Sequence, residues 1–140
     1  MTAGLVAFLQ ARLDEREAVA VAAGVTGKDW QAVGTGVYST AAFDDDVAPL
    51  VTAGPEIGGS DEDAARAEHI ALHDPAQVLR EVVAIRGLLN QYTALKTSAG
   101  TADASHRDTA DMHRMAVGMA AQHLAHAYAD HPDYRPEWRL

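Results

Sequence analysis

His69–Val82, HIALHDPAQVLREV, decides how this chain is organised. The residue before a proline is pushed out of the helical region, so His73-Asp74-Pro75 stops one helix. The same tripeptide starts the next one. Asp74 is suited to accept the first amides of a new helix, and Pro75 fits its first turn because that position has no intrahelical use for an N–H. Val78, Leu79 and Val82 then open an apolar stripe. The stripe Val78, Val82, Ile85, Leu89, Tyr92 repeats by four, three, four and three residues, which marks the core-facing side of a bundle helix.

Upstream, DEDAARAEHIALH reads as a short helix capped by Ser60 or Asp61. Before it lie two other segments. Near the start, Leu5, Val6, Leu9 and Leu13 fall at steps of three and four, with Gln10, Arg12, Asp14, Glu15 and Glu17 on the other side. That is an amphipathic helix over residues 1–24, ended by Gly24 in a left-handed terminal position. Its early acidic residues and short apolar run do not fit a secretory signal or a membrane span, so a cytoplasmic location is expected.

Residues 29–58 change character. In DWQAVGTGVYS, Trp30, Val33, Val37 and Tyr38 flank Gly34-Thr35-Gly36, the pattern of a β-hairpin. A further strand is expected at Val47–Thr52, confined to an edge by Pro49. Asp44, Asp45 and Asp46 lack the alternating ligands, central glycine and closing glutamate of a calcium loop, and read as a solvated turn.

Downstream, KTSAGTADASH has the composition of a linker. A final helix is expected from Ser105 to Tyr128, with Met112, Met115, Ala116 and Met119 on one face and Val117, Ala120, Ala121, Leu124 and Tyr128 broadening it. Such a surface must be covered by the chain's own core or by a second subunit, and Met112, Met115 and Met119 are the candidate interface residues. The last segment, residues 129–140, is expected to lie extended over the surface, anchored by Tyr134 and Trp138.

These pieces predict a single α+β domain over 1–140. It is mostly helical: an N-terminal helix, a small antiparallel hairpin or meander at 29–58, helices over 61–128 forming a three-helix C-terminal part, and the tail. The hydrophobic share of 48% supports a packed core, while aromatics at 6% imply close packing of small side chains. A net charge of -9 repels phosphate backbones, which argues against nucleic acid as a partner. The absence of cysteine excludes thiolate chemistry and disulfides.

The chemistry-bearing candidates are histidines. His69 and His73 stand one helical turn apart, a spacing that points both rings to one side and suits a transition metal such as zinc. A third ligand is required, and His131, Asp130, Asp133 or Asp74 are the candidates if the tail returns to the HDP corner. The competing reading has a histidine at a helix end capping carbonyls, with Asp74 serving only as a cap. Ile70 stands where a zinc protease has its glutamate, so that activity is not supported. His106, His113, His123 and His126 read as exposed or interface residues. No nucleophile elbow or phosphate loop is present, catalytic residues are unassigned, and no cofactor is expected apart from that metal.

The motifs LVAFLQARLDEREAVA, HIALHDPAQVLREV and YADHPDYRPEW, in that order, resemble a family of short uncharacterised proteins from actinobacteria and their phages. Members of that family carry a Gly-Pro-Trp turn after the first helix, where this chain has Gly27-Lys28-Asp29-Trp30. The resemblance implies a phage-linked context but no activity. Two readings follow from the residues: an accessory or interaction protein working through a helical homo-oligomer or partner surface, or a metal-binding module or metal-dependent enzyme using His69 and His73 with the C-terminal DHPD.

Overall fold

The computed structural model describes residues 3–42, 48–55, 57–99 and 103–139. Its elements in chain order are α1 (Ala3–Ala23), β1 (Trp30–Val33), β2 (Gly36–Ser39), a 3-10 turn (Thr40–Ala42), β3 (Val51–Thr52), α2 (Asp61–Leu72), α3 (Pro75–Ala99), α4 (Ala104–His126) and a second 3-10 turn (Pro136–Trp138). The architecture is the expected α+β arrangement, four helices with a small antiparallel sheet among the described residues. Two compact units share the chain: one comprises residues 15–82, the other residues 1–14 and 83–140.

In the unit of residues 15–82, the sheet order is β1-β2-β3. Trp30 pairs with Ser39 and Val33 with Gly36, leaving Gly34-Thr35 as a two-residue loop. Gly34 adopts φ 59°, the left-handed conformation that such a tight hairpin demands. β3 is shorter than the expected Val47–Thr52 strand and begins only after Pro49, which cannot donate to a ladder. Val47, the run Asp44–Asp46 and Glu56 lie outside the described residues. Helix α2 packs on β1 and β2. Ser60 caps it in a reciprocal box with Asp63, and Val37 and Ala67 are fully buried.

The end of α1 differs from expectation. Gly24 does not take a positive φ; its amide still donates to Ala20, and the chain turns at Gly27, φ 139°. Space is what Gly24 provides: a Cβ there would stand 3.1 Å from both the Ala20 carbonyl oxygen and the Pro75 ring.

In the unit of residues 1–14 and 83–140, the core is Leu5, Phe8, Leu9 and Leu13 from α1, Leu89 and Tyr92 from α3, and Ala121 and Ala125 from α4. Helix α3 continues to Ala99, so Lys96–Ala99 are helical rather than linker. The hydroxyls of Thr93 and Thr97 donate to the carbonyls one turn back, at Leu89 and Thr93, which removes their competition with the helical backbone. Asp103 caps α4 by accepting the His106 amide. The tail is not extended: amides of Ala127, Tyr128, Ala129, His131 and Tyr134 each donate three residues back, giving successive tight turns. Tyr134 and Trp138 are buried anchors as expected, and the Tyr134 hydroxyl has no hydrogen-bond partner among the described residues, so that ring holds by packing.

Candidate functional site

Asp74 is the centre of the HDP corner. One carboxylate oxygen accepts the Gln77 amide at 2.6 Å, capping α3, and the other accepts the Trp30 amide at 3.1 Å, fixing the start of β1. The remaining orphan amide of the first turn, Ala76, donates to the Lys28 carbonyl at 3.0 Å. One buried side chain thus ties the helix start to the sheet. Trp30 is pinned a second time by its indole N–H, which donates to Gly27 at 3.0 Å.

Beside this corner lies a cleft of about 420 Å³. Trp30, Pro75 and Val78 line it from the corner and Val19, Ala20 and Ala23 from α1, with Glu15, Arg16 and His73 as its polar groups. Arg16 donates to Glu81 at 2.7 Å, and the Gln77 amide group donates to the other Glu81 oxygen at 3.1 Å. The bond from Arg16, then that from Gln77, holds the Glu81 carboxyl below its ordinary 4.5. Because the folded form titrates lower than the unfolded one, this contribution to stability is complete above the ordinary value and is lost as pH falls through the folded value. Urea melts from about pH 6 to about pH 3 are expected to show a steeper loss for the native protein than for Glu81→Gln, with the two curves converging at low pH. Parallel curves would contradict the pairing.

The sequence singled out His69 and His73, and the structure brings them together: the ring centroids are 4.5 Å apart with planes tilted by 49°. His73 caps α2, and its Nδ1 lies 2.9 Å from the His69 carbonyl oxygen. With Nδ1–H donating there, Nε2 carries the lone pair, the arrangement that commonly orients a metal-binding imidazole. Both rings are exposed.

His131 belongs to the other unit. Its Nδ1 accepts from the Arg12 guanidinium at 3.0 Å and from the Asp133 amide at 3.1 Å, and its ring meets the edge of Phe8 at 5.6 Å. Among the described residues no three histidine or carboxylate side chains are grouped to hold a metal ion. Arg12, expected on the solvent side of α1, is instead buried, with its guanidinium 5.1 Å from the Phe8 centroid and 3.6 Å from the Asp133 carboxylate.

The methionines divide α4 into two apolar sides. Gly118, Ala121 and Ala125 form the buried side. Met112, Met115 and Met119 lie along the flank next to it, exposed by 64%, 64% and 59%, and Met115 and Met119 share a groove with Gly118 and Tyr92. The histidines His106, His113, His123 and His126 are exposed as well.

A family description matches residues 2–140, essentially the whole chain. The chain belongs to the family of unknown function DUF6221. Membership carries no assigned activity, so the chemistry must be argued from the side chains themselves. No curated protein and no solved structure matches the chain. Among the described residues no helix is long and apolar enough to cross a membrane.

Sequence reasoning missed the cleft because its polar wall depends on Arg16 meeting Glu81, 65 positions away. Trp30 was the one local signal, a large aromatic at a strand start. Its role as a wall depends on Asp74, which no local pattern connects to it.

Proposed function

We propose that this DUF6221 member is a cytoplasmic accessory protein that acts as a homodimer through the outer side of α4. The observation carrying this reading is the exposure of three methionines at spacings of three and four residues, along the flank of the helix beside its buried side. Methionine-rich faces adapt to an opposing helix, and an apolar seam of this kind is covered in most soluble proteins.

A second copy of α4 is the occupant that fits. An antiparallel pair centred between Met115 and Ala116 sets Met112 beside Met119 of the other copy, so the seam complements itself, as a two-fold interface requires. The same register puts Asp108 of one copy near His123 of the other and opposes the two helix dipoles. Phage association, implied by the family resemblance, would make the dimer a docking platform and adds no chemistry. Sedimentation equilibrium is expected to give twice 14.8 kDa for the native protein and 14.8 kDa for Met115→Glu, with unchanged helical content. A native protein that stays monomeric at about 100 µM overturns the reading.

A second reading rests on the paired rings of His69 and His73 with the Nδ1 contact to a carbonyl. In it, a transition metal such as zinc is held by these two imidazoles, with water completing the shell. Zinc titration is expected to show about tenfold weaker binding for a His69→Ala, His73→Ala double variant. Equal affinity would exclude the site.

A further inference from the structure

The cleft at the HDP corner is used by neither reading above. Its volume of about 420 Å³ falls within the range of small-molecule sites. Six of the nine residues lining it are apolar, Val19 being the largest from α1 and Trp30 the largest from the corner. Trp30 is held twice, by its indole N–H donating to Gly27 and its amide donating to Asp74. With that N–H committed, the indole offers the cleft hydrocarbon and no donor. Val19 stands on the cleft wall and is 69% exposed. An apolar body that covers both side chains removes this surface from water.

The three polar groups set the charge that such a body carries. Glu15 and Arg16 are of opposite sign and each holds a further interaction, and Arg16 also pairs with Glu81 at 2.7 Å. A charged ligand entering the cleft would lose water and have to break an existing contact to gain a partner. His73 differs from both. Its Nδ1 donates to the His69 carbonyl at 2.9 Å, so the neutral ring keeps the Nε2 lone pair as an acceptor.

We propose that this cleft binds a small uncharged aromatic alcohol of the phenol or naphthol class, its rings against Trp30 and Val19 and its hydroxyl donating to Nε2 of His73. A wall already fixed in place lowers the ordering cost of binding.

Isothermal titration of the intact protein with 2-naphthol tests this at about pH 8, above the ordinary imidazole range, in the presence of a metal chelator. The counterparts are 2-naphthoate and 2-naphthylmethylammonium, and 2-naphthol is expected to bind about tenfold more tightly than either. The net charge of -9 disfavours the carboxylate anywhere on the chain and favours the ammonium, so the ammonium is the sharper comparison. Val19→Arg, at an exposed and therefore tolerant position, is expected to abolish binding with an unchanged circular dichroism spectrum. His73→Phe keeps a ring but no acceptor and is expected to weaken binding about fivefold. His69→Ala, which disables the zinc reading, and Met115→Glu, which lies in the other unit and disables the dimer, are both expected to leave the affinity unchanged. Equal binding of the three compounds, preference for either ion, full affinity in Val19→Arg or His73→Phe, loss of binding in Met115→Glu, or no saturable heat up to about 1 mM each overturns the inference.

Discussion

Asp74→Ala is expected to lower the stability of the protein by about 3 kcal/mol, the sum of a lost helix cap and an orphaned strand amide. Capping losses alone run to about 1 kcal/mol for an exposed site. Here the same carboxylate also accepts the Trp30 amide, and Asp74 is only 8% exposed, so water cannot freely replace it. Asp74→Asn keeps one acceptor oxygen and is expected to lose roughly half as much, which keeps the effect measurable if the alanine variant fails to fold. Urea denaturation followed by circular dichroism measures both. A loss below about 1 kcal/mol for Asp74→Ala would mean the corner is held by something other than this side chain.

Phe8→Ala is expected to cost about 4 kcal/mol, in the range for removing a buried phenylalanine. The ring is the hub of the tail: its centroid lies 5.0 Å from Trp138, 5.6 Å from His131, and 6.1 Å from each of Tyr128 and Tyr134, with Arg12 over its face. Removing it takes away the surface on which residues 128–138 fold and leaves a cavity that backbone turns cannot fill. The tail should therefore become protease-sensitive before the rest of the chain. Limited proteolysis with mass spectrometry reads this directly, and Phe8→Leu, which fills more of the space, should show a smaller effect. Cleavage at unchanged rate in Phe8→Ala would show that the tail docks without it.

The Asp74 corner and the Phe8 hub also show what the sequence made legible and what it did not. Asp74-Pro75 announced a helix start because capping is local, involving residues one to three positions apart. A cap at Ser60 or Asp61, the hairpin around Gly34 and the buried stripe of Val82, Leu89 and Tyr92 were legible for the same reason, while the reciprocal bond from Asp63 was not. Arg12 was misplaced because helical periodicity ranks residues by polarity, and only the third dimension supplies the Phe8 face and the His131 nitrogen that make its burial tolerable. Lys96–Ala99 were misread because serine, threonine and glycine suggest a linker by composition, whereas the Thr93 and Thr97 hydroxyls bond back to helical carbonyls and are compatible with a continuing α3. Of the site, the His69 and His73 pair followed from a four-residue spacing. The cleft rests on contacts between residues 44 and 65 positions apart, to which local patterns are blind.

The exposed methionine seam carries the account, and a cysteine placed within it tests the seam most directly. The chain contains no cysteine, so Met115→Cys introduces a single thiol at the centre of the proposed antiparallel pair. Under mild oxidation this variant is expected to convert mainly to a disulfide-linked species of twice the chain mass, whereas Val33→Cys, exposed on the sheet, stays a single chain. If Met115→Cys cross-links no faster than Val33→Cys, the outer side of α4 is not where two copies meet.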